Sequence, residues 1–255
     1  MHVISRSKIW PDPDGKVRRN TPVGDSSLIK PSFEGMAIVP PLAERLAEVR
    51  SALPAHRHLL AVSKGQSVAA IREAVALGQR SFGESRLREA VAKQQELADL
   101  PPLDWHFIGR LQANKVRGVV RHFSTIHSLD SLPLAQRLQR IAREEGLSPE
   151  VFVQVKLRPD PAKTGFDPAS LRAVWPQLAD LAPLRLRGLM TMAPLGLETE
   201  ERLALFEDCA DLARELGLPE LSMGMSGDWR EALAAGSTWI RLGSTLFGER
   251  PAIDG

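Results

Sequence analysis

Eight short apolar or β-branched runs recur along this chain, and stretches with helical periodicity lie between them. The runs are HLLAVS, RSFGE, DWHFIG, FSTIHS, EVFVQVK, LRLRGLMTM, ELSMGM and TWIRLG. The helical patterns include SVAAIREAVALG, SRLREAVAKQQELADL, LPLAQRLQRIAREEG and EERLALFEDCADLAREL. Strand alternating with helix means parallel βα units. Eight units predict an α/β fold of the closed (β/α)8 TIM-barrel type, and 255 residues is a usual size for one. The alternative is an open doubly wound sheet. That fold would need a G-x-G-x-x-G turn after the first strand, and VSKGQS is not one.

The rhythm starts near residue 58, after a first helical pattern, PPLAERLAEVRSAL. Residues 1–35 are different. Pro, Gly, Ser and Asp interrupt them every few positions and no period survives. A disordered or loosely packed extension is expected there, with the barrel over 36–255. The other reading starts the protein at Met36. The extension has no apolar core of a secretory signal, and no apolar run in the chain reaches membrane-spanning length. It carries six of the chain's 33 basic residues and four of its 31 acids, which leaves 27 of each in the remainder. So balanced a body argues against a nucleic-acid or membrane partner. The single cysteine, Cys209, cannot form an internal disulfide, which fits a reducing cytoplasm. It sits at helical spacing among apolar neighbours and reads as core filler.

In a parallel barrel the chemistry gathers where strands end. Lys64 follows the first run, Glu84 and Ser85 the second, and Gly109 the third. Lys163, Thr164 and Gly165 follow the fifth, and Met190 and Met192 close the sixth. The seventh runs into Gly224-Met225-Ser226-Gly227, the eighth into Arg241-Leu242-Gly243-Ser244. A lysine held against apolar walls loses solvation, which lowers its pKa and frees its lone pair for a carbonyl. A lysine snorkelling out of a strand end is the plainer reading. The loops after strands 7 and 8 of barrels often build phosphate sites, and here they supply glycines and the hydroxyls of Ser226 and Ser244. A phosphorylated aldehyde would satisfy all three parts.

AVSKGQSVAAIREAVALGQRSFGES, WHFIGRLQANK, LRLRGLMTM and LSMGMSGDWREALAAGSTWIRLGSTLFGER resemble, in the same order, the pyridoxal phosphate homeostasis protein family. That family is similar to the barrel domain of alanine racemase and binds pyridoxal 5′-phosphate (PLP). The resemblance implies a single barrel domain over about Pro40–Arg250, with PLP carried on Lys64 as a Schiff base. It places the phosphate at Ser226, Gly243 and Ser244, with Met225 beside the cofactor and Arg241 at the pyridine nitrogen. Two positions depart from the pattern. Ser85 stands where relatives have asparagine, and Gly227 then Asp228 where an acid usually follows GMS.

The resemblance also implies intracellular PLP homeostasis without dedicated turnover. An arginine at the ring nitrogen can only donate, so the ring is a weak electron sink. Racemase relatives use a tyrosine from a second domain as their second base. This chain has no tyrosine, and little length follows Arg250. His106 and Lys163 are the substitutes to consider, His106 being more readily a packed, hydrogen-bonded residue and Lys163 an exposed loop lysine. A PLP-dependent racemase or lyase is the alternative, and a Schiff-base aldolase a remoter one. No catalytic or metal-ligating residue is assigned. PLP-accepting apo-enzymes are the expected partners and a monomer the expected state. Lys163 and Lys115 are the places for a secondary PLP, and NKVRGVVRH reads as a solvated helix face.

Overall fold

The structure, a computed structural model, describes residues 40–161 and 163–248. The expected extension over 1–35 and the chain after residue 248 lie outside the described residues. The strands are β1 (His58–Val62), β2 (Ser81–Glu84), β3 (Asp104–Phe107), β4 (Thr125–Leu129), β5 (Glu150–Gln154), β6 (Arg185–Met190), β7 (Glu220–Ser222) and β8 (Trp239–Leu242). All pair in parallel with their sequence neighbours, and β8 returns to β1 to close the barrel. Seven of the eight predicted runs contain a whole strand, and the fourth, FSTIHS, holds all of β4 but its last residue, Leu129. They were visible because a barrel strand is covered on both faces and so reads as continuous apolar sequence. Leu59, Leu60 and Ala61, consecutive in β1, are all buried.

After α1 (Leu42–Ala52), a helix follows every strand. These are α2 (Val68–Ala76), α3 (Leu87–Glu96), α4 (Val116–His122), α5 (Leu132–Glu145), α6 (Pro168–Ala179), α7 (Thr199–Glu215), α8 (Trp229–Ala234) and α9 (Ser244–Phe247). Local chemistry sets several of their ends. Ser67 caps α2 by accepting from the Ala70 N–H at 3.2 Å. Asp167 caps α6 in the same way, through Ser170 N–H at 2.9 Å, with Pro168 at the first helical position. α5 stops at Gly146, in the left-handed region at φ 65°. The longest helix, α7, buries Leu205, Phe206, Cys209, Leu212 and Ala213 along one stripe. Cys209 is fully buried there, and burial pushes its thiol up to about 12, which suits core filling.

NKVRGVVRH differs from its reading in one respect. Val116, Val119 and Val120 of α4 are buried, while Arg117 and Arg121 pair with Glu144 and Glu145 of α5. The basic face is therefore ion-paired as well as solvated. No helix among the described residues is long and apolar enough to cross a membrane.

Candidate functional site

Lys64 stands half-buried in the loop between β1 and α2. Its two neighbours are fixed from α3. The Lys93 ammonium donates to the Ser63 carbonyl at 2.8 Å, and the Gly65 N–H donates to Glu89 Oε1 at 2.6 Å. Lys93 also donates to Glu84 Oε1 at 2.8 Å and Glu89 Oε1 at 2.6 Å, and the Ser63 hydroxyl donates to Glu84 Oε1 at 2.7 Å. Glu84, Glu89 and Lys93 thus grip the chain on both sides of Lys64. Burial pushes the Glu84 carboxyl up from its ordinary value, against the pull of Lys93 and Ser63. Burial also opposes the Glu89 carboxylate, but Lys93 and the Gly65 N–H outweigh it and leave it below the ordinary range.

Two loops face Lys64. Ser226, after β7, accepts from the Thr245 N–H of α9 at 3.2 Å, which ties the seventh loop to the eighth. Asp228 Oδ1 closes the seventh loop by accepting from the Met225 N–H at 2.6 Å. Gly224 is needed for the fold: its φ is +91°, and a Cβ would lie 2.7 Å from Ala232 Cβ. Gly243 is not needed in that sense. Its φ is −113°, and a Cβ would meet Val62 at an ordinary 3.5 Å. What glycine leaves at 243 is room on the cavity side.

The cavity has a volume of about 300 Å³ and lies at the C-terminal mouth of the barrel. Lys64, Met225, Ser226, Arg241, Gly243 and Ser244 all line it, with Val62, Ile108, Met190 and Met192 as apolar walls. The Arg241 guanidinium enters from the barrel interior and is 5% exposed. It donates through Nη1 to Ser222 Oγ at 2.7 Å and through Nη2 to the Thr191 carbonyl at 3.0 Å. Two of its five N–H groups are so used. Burial lowers its pKa to about 10, which leaves it cationic at neutral pH. An amine, hydroxyls, a bare glycine and a cation with spare donors, within apolar walls, suit a phosphorylated aromatic aldehyde.

The alanine racemase N-terminal domain family matches residues 40–251. A pyridoxal phosphate homeostasis protein of Synechocystis sp. is 46% identical over 210 residues, covering 80% of this chain and 96% of that protein. One of Pseudomonas aeruginosa is 46% identical over 215 residues, covering 82% and 93%. The chain belongs to the pyridoxal phosphate homeostasis protein family. Among solved structures, PipY of Synechococcus elongatus, determined with PLP bound, superposes at a TM-score of 0.79. It is 56% identical and covers 81% of this chain and 100% of that one. Alanine racemase of Clostridium difficile, at 19% identity and a TM-score of 0.67, shares the barrel fold.

The two departures from the homeostasis-family pattern fall in different places. Ser85 lines a separate cavity of about 410 Å³, together with Lys115, and not the one holding Lys64. Gly227 lines the Lys64 cavity, and Asp228, one position late, reaches back to close the turn. Lys163 donates to the Ala193 carbonyl at 2.7 Å and pairs with Asp160, also outside the cavity. His106 is packed inside the barrel, bonded to Asp104 and His127.

Sequence reasoning missed the grip of Glu84, Glu89 and Lys93. The i,i+4 spacing of Glu89 and Lys93 was a usable signal, but it reads as an ordinary exposed helix pair. It also missed Ser222, Thr191 and His127 behind Arg241. Among the described residues no cluster of His, Cys, Asp and Glu could hold a metal ion.

Proposed function

We propose that this protein binds PLP in the Lys64 cavity, covalently through the lysine amine, and holds it for intracellular PLP homeostasis without dedicated turnover. The observation that carries the reading is the convergence of Lys64, Ser226, Gly243, Ser244 and Arg241 on one cavity. The PLP-bound PipY structure and the names of the curated relatives support it. When bound, PLP supplies an aldehyde that captures amines and a ring that accepts electrons. The grip from α3 orients Lys64. The Ser226 hydroxyl and the chain at Gly243 and Ser244 receive the phosphate, where charge-assisted hydrogen bonds favour a dianion. The apolar walls of Val62, Ile108, Met190 and Met192 flank the linkage.

Arg241 argues for holding over turnover. It has N–H groups left to donate and no proton to accept, so it keeps the ring nitrogen bare. The absence of tyrosine from the sequence removes the second base of the racemase relatives. Delivery to PLP-requiring apo-enzymes, a monomeric state and a cytoplasmic location belong to the same proposal. The single cysteine supports the last. The test is an absorbance spectrum of the purified protein before and after borohydride, with peptide mapping, and alanine α-proton exchange in deuterated water. Label in the peptide AVSKGQS with exchange near background is expected. Label mainly at Lys163 or Lys115 would refute the site, and rapid exchange would refute the absence of turnover.

A further inference from the structure

A line of polar side chains crosses the barrel interior behind Arg241. Asp104 opens β3 at the end of the barrel opposite the cavity, and its side chain is 41% exposed. Its Oδ2 lies 2.6 Å from His106 Nε2. His106 Nδ1 lies 2.8 Å from His127 Nε2, and His127 Nδ1 lies 2.8 Å from Ser222 Oγ. Ser222 accepts from Arg241 Nη1. β4 and β7 are not neighbours in the sheet, so the contact of His127 with Ser222 must pass through the interior. His106, His127 and Ser222 are all at most 1% exposed.

The proton positions follow from donor and acceptor accounting. Burial first, with the charge of Arg241 beside it, pushes His127 well below 6.5, so its ring is neutral, with one N–H and one bare nitrogen. If the proton sat on Nδ1, Nε2 would have to accept from His106 Nδ1–H. His106, donating also to Asp104, would then be a cation facing Arg241 across one neutral ring. Ser222 would accept from both sides, and its own hydroxyl proton would have no partner among the described residues. With the proton on Nε2, every group is satisfied and all bonds point one way.

We infer that Ser222, His127, His106 and Asp104 are positioning residues for Arg241, linked in one hydrogen-bonded order from guanidinium to carboxylate. Arg241 donates to Ser222, Ser222 to His127 Nδ1, His127 Nε2–H to His106 Nδ1, and His106 Nε2–H to Asp104. Hydrogen bonds aligned in a low-dielectric interior reinforce one another. The distant carboxylate thereby serves a buried cation that makes no ion pair among the described residues.

Other groups flank the line without breaking it. Phe152 of β5 stacks on His127 at 4.5 Å. Trp239 of β8 lies 4.8 Å from His106 and stacks on His58 of β1 at 4.4 Å. Ser81 and Ser124 donate to Asp104. Asp228 acts on Arg241 through its charge.

The inference rests on the PLP reading only for what Arg241 meets in the cavity, so its first test uses PLP-free protein. Nitrogen-15 NMR of labelled histidines at neutral pH should find His127 and His106 both protonated at Nε2 and bare at Nδ1. A proton on His127 Nδ1 would overturn the order, whether or not PLP binds. Asp104→Asn keeps an acceptor but removes the charge, and should shift the His127 ring signals two bonds along the line. Unchanged signals would show that Asp104 is only a structural partner of His106. His127→Phe keeps the stack on Phe152 and should speed PLP loss by about tenfold, the upper end for a hydrogen bond between neutral groups. Should that variant fail to fold, Ser222→Ala makes the same break with a smaller change in volume. PLP retention equal to wild type in a folded break variant would refute the positioning role.

Discussion

Lys93 and Arg241 are both buried cations next to the same cavity, and the protein satisfies them in opposite ways. Lys93, 6% exposed, gives its three donors to Glu84, Glu89 and the Ser63 carbonyl. Two of those acceptors are carboxylates in direct contact. Arg241, 5% exposed, meets a neutral hydroxyl and a carbonyl, and its nearest hydrogen-bonded route to a carboxylate passes through three side chains. A cation that only organises the chain is neutralised on contact. One that must meet a ligand is supported from behind and keeps donors in hand. Direct pairing of Arg241 would consume the N–H groups that face the cavity.

The largest effect should come from breaking the direct case. Lys93→Met strands the fully buried Glu84 carboxylate, whose Oε2 already has no hydrogen-bond partner among the described residues. Urea unfolding should show a loss of about 3–5 kcal/mol. Adding Glu84→Leu to it should restore much of that loss, since the stranded charge goes as well. A cost below about 1 kcal/mol for Lys93→Met alone would mean the grip is decorative. Arg241→Met should cost less stability than Lys93→Met, because it strands no adjacent carboxylate. Its mark should be on PLP retention, weakened by about tenfold or more by dialysis. Equal stability losses in the two variants would dissolve the distinction.

Much of the fold was legible before the structure, for a reason that also explains what was not. Parallel strands buried on both faces announce themselves in a handful of residues, and Lys64 could be placed from the strand it ends. Helix α6 carries Pro176 and α8 spans six residues, so neither shows a sustained period. The supports behind the site were hidden by distance in the chain. His127 lay within a predicted strand, but its partner Ser222 is 95 residues away. Glu89 and Lys93 look like a solvent pair until the β1–α2 loop bonds over them, a contact no local pattern encodes.

An intermediate effect separates the two systems by pH. The Glu89 carboxyl sits below its ordinary 4.5 and Asp104 below its ordinary 3.8. In each, burial works against the charge and hydrogen bonds outweigh it, from Lys93 and Gly65 for Glu89 and from His106 for Asp104. A carboxyl depressed on folding adds stability that is present above its unfolded value and lost as pH falls through its folded one. Glu84 has the opposite sign, because burial raises it: its contribution is whole below 4.5 and declines as pH rises through its folded value. Glu89→Gln should therefore lower stability at pH 7 and flatten the fall below pH 4, measured by urea midpoints across pH. Asp104→Asn should flatten the same limb while leaving the Lys64 loop intact, read as borohydride label still confined to the AVSKGQS peptide. An acid limb that neither variant alters would place the titrating groups elsewhere.

The smallest effect on stability should come from glycine, where the same division appears without charge. Gly224 serves the fold: any side chain there meets Ala232 and Trp229 within 3 Å, at a φ that L-residues avoid. Gly243 has a negative φ, and the atoms nearest an added Cβ belong to Val62, at an ordinary distance. Gly243→Ala should therefore keep stability within about 1 kcal/mol of the parent. A methyl group added to this stretch of cavity wall should crowd the proposed phosphate end, so PLP should leave faster while pyridoxal, lacking phosphate, is less affected. Comparing the two dissociation rates isolates the phosphate end from the lysine end. If Gly243→Ala speeds the loss of neither ligand, the space at 243 is not where phosphate sits, and the anion site must be built from Ser226 and its loop alone.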